Sequence, residues 1–512
     1  MIISGKRNFS IEDWQKVLFA NEPVEIDTAV LEQIKTNYAF LENFSKDKVI
    51  YGINTGLGPM AQYRVNEDEQ VQLQYNLIRS HCTGSGKTLP EVFVKSMMVA
   101  RLNTLLKGYS GIHPDAVILL KDLINKNICP VIYEHGGLGA SGDLVQLAHL
   151  ALTMIGEGEV TVSGKMVKTE KAFTDHGMSP MKIKFREGLA IMNGTSAMTG
   201  IGLLNLVYSH SLVYWSIAAS VMISEIVESY DDHYSKELNE VKLHQGQQKV
   251  AQAMRTFLAD SKSVRKRADH LYNKKVEDTL LRSKVQEYYS VRCVPQILGP
   301  VMDTVISAEN IIVNELNSVN DNPVIDSKNG DVFHGGNFHG DYVSFEMDKI
   351  KMAITKLSML AERQLNYLLN PRLNEKLPPF VNLGKFGLNL GMQGAQFTAT
   401  STVAENQSLC FPVYVHSIPS NNDNQDIVSM GTNSALMSNK VIENTFEVLS
   451  IEFITILQAI DYLNFHDRLS SFSMKIFDDL RKLVPRFEQD TTKYEDIRKI
   501  RDFLYDNRKK LN

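Results

Sequence analysis

The sequence predicts a mainly α-helical protein in which a bundle of long helices follows a smaller, mixed N-terminal domain. Residues 203–230, 301–316, 342–369 and 438–463 place apolar side chains at three- and four-residue spacing with little internal Gly or Pro. Upstream of Thr195 the helical patterns are shorter and glycine interrupts them. Strand signals are few, the clearest being an alternation over residues 160–167. The expected division is a domain over residues 1–195, carrying two glycine-rich loops, and a helical domain over residues 196–512.

Taken in order, Ser10 is a natural N-cap for a helix over residues 11–19. Tyr51-Gly52-Ile53-Asn54-Thr55-Gly56-Leu57-Gly58 is a turn-rich loop of the kind that covers sites. Helices over residues 67–82 and 91–106 follow, the second closed by Gly108 with Gly111 and Pro114 beyond it. Gly136-Gly137-Leu138-Gly139-Ala140-Ser141-Gly142-Asp143 then runs into a helix marked by Leu144, Leu147, Ala148, Ala151 and Met154, with Ser141 or Asp143 as its expected cap. Residues 160–167 turn about Ser163-Gly164 as a small hairpin. Asn370-Pro371 stops the third long helix, and the charged, helical tail after Ser470 breaks at Pro485. Long helices that are apolar on more than one face need partners all round, which a bundle extended by further copies of the chain provides.

Bulk properties narrow the function. The formal net charge is −5, and the absence of a basic block argues against nucleic acid as a partner, which leaves small molecules. Cys82, Cys129, Cys293 and Cys410 are far apart and lack the paired spacing of a zinc site or redox motif, so no metal is expected. With an N-terminal stretch that has no apolar core, they point to reduced thiols in the cytoplasm. The apolar run over residues 212–223 is broken by Ser216 and Ser220 and is too short for a bilayer, so it reads as a buried helix and no membrane is implied.

The loop before the fourth helix carries a chemical possibility. In a tight enough turn, the Gly142 amide nitrogen reaches the Ala140 carbonyl carbon and closes a five-membered ring. Loss of one water from the ring and another from the Ser141 hydroxyl leaves a methylidene on an imidazolone, an electrophile made from the chain alone. The amide groups at the start of the following helix favour negative charge on such a ring. On its own, Ala-Ser-Gly before a helix is better read as an ordinary turn or an anion site, because three small residues before a helix are common.

Its company decides the reading. The loop occurs together with Glu187-Gly-Leu-Ala-Ile-Met-Asn193-Gly-Thr195, the Tyr51 loop, Tyr288-Tyr289-Ser-Val-Arg292-Cys-Val-Pro-Gln296, Asn320-Asp-Asn-Pro323, Gly336-Asn-Phe338-His-Gly340 and Asn424-Gln425-Asp426. In that order, and over nearly the whole chain, these resemble the aromatic amino acid ammonia-lyases that act on histidine, phenylalanine or tyrosine. The resemblance implies the long-helix bundle of that family. It implies a homotetramer in which three chains contribute to each active site, with a small amino acid as substrate. It also implies a 4-methylideneimidazole-5-one group formed from Ala140, Ser141 and Gly142, with no external cofactor.

The same resemblance assigns roles. Tyr51 is the base, although a free tyrosine has a pKa of about 10 and needs favourable surroundings to act near neutrality. Arg292 holds the substrate carboxylate, a task suited to its fork of donors, with help from Asn193. Tyr289 and Gln286 sit beside the ring system, Phe338 stands against it, and Asn424 and Gln425 match further polar positions. His81, in Ser80-His81, is the expected selectivity residue, since an imidazole hydrogen-bonds a phenol hydroxyl or another imidazole.

Ser80-His81 and Glu405 lean toward the histidine enzymes, whereas Leu57 and Asp143-Leu-Val-Gln146 depart from their usual wording. Whole-chain similarity resembles the bacterial tyrosine enzymes instead. The expected reaction is therefore L-tyrosine to trans-p-coumarate and ammonia, with L-histidine to urocanate as the alternative. An aminomutase, which returns the ammonia to the neighbouring carbon, is a further one.

Overall fold

The computed structural model describes residues 2–5, 7–273, 279, 281 and 284–511. Helix makes up 59% of the protein, in agreement with the mainly α expectation. The chain forms two compact units, each gathered from distant segments: Met1–Asn205 with Ala308–Asp348 and Pro412–Met437, and Leu206–Ser307 with Lys349–Phe411 and Ser438–Asn512.

The first unit holds short helices, small sheets and loops. Ser10 caps the helix Ile11–Phe19 through a reciprocal pair in which the Asp13 amide donates to Ser10 Oγ (3.1 Å) and the Ser10 amide donates to Asp13 Oδ2 (3.2 Å). Glu91–Leu105 is buried on nearly every face, so it forms the centre of this unit. Gln70–His81 is shorter than the expected helix because residues 67–69 tighten into a 3₁₀ turn. The expected hairpin is Glu159–Val162 with Lys165–Lys168, turned by Ser163 (φ 51°) and Gly164 (φ 76°), and Ile128–Pro130 pairs with its first strand.

The long helices are Ser196–Ile226, Val294–Leu316, Asp341–Leu369 and Gly431–Leu463. Ser196–Ile226 is long and apolar enough to cross a membrane, yet 94% of its most apolar window is buried inside the protein, as a core helix should be. Val294–Leu316 begins seven residues before the expected start at 301 because it carries Pro300 within its second turn, where the lost hydrogen bond is near a helix end. Within the second unit aromatic pairs bind the helices together: Phe257 stacks on Phe472 at 3.8 Å, and Trp215 Nε1 donates to the Leu504 carbonyl at 3.2 Å. Gln364 Nε2 ties the Ser220 hydroxyl (2.9 Å) to the Ser290 carbonyl (2.8 Å), so this buried amide is satisfied.

Candidate functional site

One cavity of about 890 Å³ lies in the first unit. It is lined by the Tyr51 loop, one face of Gln70–His81, the Ser141 loop with Asn193, the segment around Asn322 and Phe338, and the turn at Asn421 to Gln425. None of the described residues lining it is Asp, Glu, Lys or Arg.

The Ala140-Ser141-Gly142 turn is drawn tight by the Gly139 amide, which donates to the Gly142 carbonyl at 3.2 Å. Gly142 has φ 74°, and a Cβ there would stand 2.1 Å from the Gly194 carbonyl oxygen, so only glycine fits. Ala140 is buried, whereas Ser141 faces the cavity with its Oγ accepting from Gln425 Nε2 at 2.9 Å. The Ser141 carbonyl accepts from Asn193 Nδ2 at 3.0 Å. Among the described residues, the Gly142 amide makes no backbone hydrogen bond, which leaves its nitrogen unengaged. A tight turn, a free amide nitrogen and a hydroxyl aimed at open space fit the ring that the sequence suggests.

Asp143 occupies the cap position of Leu144–Met154 but does not cap it with its side chain. Its carboxylate instead accepts from the Met198 amide (2.9 Å) at the start of Ser196–Ile226 and from Thr432 Oγ1 (2.6 Å). The expected cap fails because two distant donors compete for the same oxygens and bind them in a fully buried position. That burial pushes the Asp143 carboxyl up to about 6, against the pull of its hydrogen bonds.

Behind the wall, Arg101, Arg186 and Asp321 are all completely buried, with each guanidinium 3.9 Å from the Asp321 carboxylate. Burial raises the Asp321 pKa and the two arginines oppose it. Arg101 donates to the Ala190 carbonyl (2.7 Å) and Asn320 Oδ1 (3.3 Å), and Arg186 to the Asn322 carbonyl (2.6 Å). The ion cluster thereby fixes the two segments that meet at the cavity, where Asn193 Oδ1 accepts from the Asn322 amide at 2.8 Å. Asn322 Oδ1 accepts from the Gly335 amide at 2.8 Å, which leaves the Asn322 side-chain amino group as a fixed donor on the wall.

Tyr51 is held at both ends. Its phenol oxygen accepts from the Gly58 amide at 3.0 Å, and its own amide donates to His334 Nε2 at 3.4 Å. The Gly56 amide bonds the Tyr63 carbonyl (2.8 Å) and the Val65 amide bonds the Asn54 carbonyl (3.0 Å), which folds the loop back on itself. His81 ends its helix with Nδ1 2.9 Å from the Leu77 carbonyl. A carbonyl only accepts, so this contact selects the tautomer with the proton on Nδ1, in which Nε2 keeps a lone pair; Ser80 Oγ also lies 3.1 Å from Nδ1.

Of the residues expected at a site, Tyr51, His81, Ser141, Asn193, Phe338, Asn424 and Gln425 line this cavity. Ala140 and Gly142 flank Ser141 in the same turn. Gln286, Tyr289, Arg292 and Glu405 belong to the second unit. There the Arg292 guanidinium lies over the Tyr289 ring at 4.7 Å and has no ion-pair partner among the described residues, while Tyr289 is 70% exposed. Glu405 accepts from Asn444 Nδ2 at 2.6 Å and stands 3.9 Å from Lys440. Asn322 and His334 are among the polar wall residues that were not expected. Asn322 belongs to the Asn-Asp-Asn-Pro motif, which marked its segment without showing which side chain faces the cavity.

The model of the aromatic amino acid lyase family matches residues 9–482. The chain belongs to that family. It is 39% identical over 490 residues to a tyrosine 2,3-aminomutase of Myxococcus sp., covering 94% of this chain and 93% of that one. It is 36% identical over 505 residues to a histidine ammonia-lyase of Bacillus cytotoxicus, covering 98% and 97%. Among solved structures, tyrosine aminomutase from Streptomyces globisporus matches with a TM-score of 0.95 at 35% identity, covering 99% of this chain and 97% of that one. As an aromatic amino acid lyase the chain is an enzyme of the carbon–nitrogen lyase type, and its family uses the methylidene-imidazolone group.

Proposed function

We propose that the enzyme removes ammonia from L-tyrosine to give trans-p-coumarate. The observation that carries this reading is the pairing, in one cavity, of the Ser141 turn with His81, whose Nε2 is left as an acceptor. A phenol hydroxyl donates to such a nitrogen, and Leu73, Leu77, Leu144 and Leu189 offer apolar contact to the ring that bears it.

A 4-methylideneimidazole-5-one formed from Ala140, Ser141 and Gly142 supplies an electrophile that makes the substrate amine a better leaving group. Tyr51 takes the proton from the carbon next to the one bearing the amine, its oxygen aimed by the Gly58 amide. Asn193 orients the Ser141 turn through its carbonyl, and Gln425 holds the Ser141 hydroxyl before the ring forms.

The substrate carboxylate needs a cation, and the cavity wall has none among the described residues. Arg292, without an ion-pair partner among the described residues and lying over the Tyr289 ring, is the group proposed to meet it, brought with Tyr289 and Gln286 from another copy in a homotetramer. The free thiols of Cys82, Cys129, Cys293 and Cys410 support a cytoplasmic setting.

The similarity to a tyrosine 2,3-aminomutase favours one second reading, in which the same substrate loses its amine and regains it on the neighbouring carbon. Incubating the purified enzyme separately with tyrosine, histidine and phenylalanine separates the readings. Coumarate with free ammonia supports the proposal. β-Tyrosine without ammonia favours the mutase, and urocanate from histidine overturns tyrosine as the substrate.

A further inference from the structure

We infer that His334 is a positioning residue for Tyr51, which joins the loop bearing the base to the chain of hydrogen bonds that holds the Ser141 turn. The inference rests on the reading of Tyr51 as the base.

His334 lines the cavity between the short strand Asp331–Phe333 and the glycines 335 and 336. Its Nε2 accepts the Tyr51 amide proton at 3.4 Å. The next residue, Gly335, donates its amide to Asn322 Oδ1 at 2.8 Å. From there the connection runs through the Asn322 amide to Asn193 Oδ1 (2.8 Å) and through Asn193 Nδ2 to the Ser141 carbonyl (3.0 Å). One continuous path therefore links the backbone of the base to the backbone of the turn that carries the electrophile.

His334 is the side-chain link in that path at the Tyr51 end. A Cβ added at Gly335 or Gly336 would meet nothing within 4 Å, so these two glycines have open space beside them. The Gly335–Asn322 and Tyr51–His334 hydrogen bonds tie this stretch to the wall and to the loop, and removing the His334 acceptor leaves the Tyr51 amide without this partner. The acceptor role requires a neutral ring, and partial desolvation together with the Arg186 guanidinium lowers the His334 pKa from its ordinary value.

Proton abstraction depends on where the base stands relative to the substrate carbon, and small displacements cost rate more than binding. His334→Phe keeps a ring of similar size and removes the acceptor. His334→Gln keeps an acceptor at about the same reach. Both variants are to be made in the full-length enzyme and compared by intact mass, melting temperature, steady-state kinetics with tyrosine, and amide hydrogen exchange in the peptide containing Tyr51.

The expected result is that His334→Phe loses kcat by roughly 10- to 100-fold with KM changed by less than about threefold, and that the Tyr51 peptide exchanges faster. His334→Gln should stay within about threefold of the parent kcat. Wild-type kcat in His334→Phe overturns the inference. So does an equal loss in both variants with unchanged mass and melting temperature, because the acceptor would then not be what matters. Failure of the parent enzyme itself to act on tyrosine sinks the functional reading instead, and the exchange comparison still tests the contact.

Discussion

Gln425 Nε2 donates to the Ser141 hydroxyl at 2.9 Å, although the two residues are 284 positions apart in the chain. The contact holds the one side-chain oxygen that must leave if the turn is to become an electrophile. Ser141→Ala is expected to fold and assemble normally, since a small side chain replaces a small side chain, and to lose nearly all turnover. Retained activity in that variant, measured by ammonia release, removes the methylidene from the mechanism.

Substrate choice follows from the His81 lone pair. His81→Phe should lower kcat/KM for tyrosine relative to phenylalanine by about 10- to 100-fold, because a hydrogen-bond acceptor is exchanged for apolar contact. Competition between the two substrates reads this directly. An unchanged ratio places selectivity elsewhere on the wall.

The buried Arg101–Asp321–Arg186 cluster should matter more for stability than any surface ion pair. Asp321→Asn leaves two guanidiniums without a counter-charge and is expected to cost about 3–5 kcal/mol. Arg79→Ala breaks the exposed pair with Glu157 and should cost less than about 1 kcal/mol. Unfolding monitored by circular dichroism checks both, and comparable losses contradict the contrast.

The raised pKa of Asp143 gives a pH dependence with a definite sign. Its carboxyl titrates near 6 when folded and about pH 4 when unfolded, so between those values the folded chain binds more protons. Stability from this group is therefore greatest at the acid end of the window and declines as pH rises toward 6, by an amount on the order of 3 kcal/mol. Asp143→Asn removes the titration. The wild type should gain on the variant as pH falls from about 6.5 to about 4, and a constant difference in melting temperature would falsify the assignment.

Much of the fold could be read from local pattern. The Ser10 cap, the Ser163-Gly164 turn and the long helices depend on neighbours in sequence, and the structure contains all of them, although Ser196–Ile226, Val294–Leu316 and Gly431–Leu463 each start seven residues before periodicity put them. Contacts across the chain were less legible. Asp143 looked like a cap for the helix it precedes, but its partners are Met198 and Thr432, which no local rule brings near it. His334 was missed for the same reason, since its role depends on a single contact with Tyr51 from 283 residues away. The motifs marked the segments that would meet, while which atoms face the cavity depends on the buried arginines behind it.

The central claim is that Ala140, Ser141 and Gly142 condense into the group on which the chemistry depends. Intact mass spectrometry of the purified protein tests this most directly, with Ser141→Ala as the control. The account predicts a chain lighter than its translated sequence by two water molecules, a deficit that includes loss of the Ser141 hydroxyl. A chain at its full translated mass contradicts it.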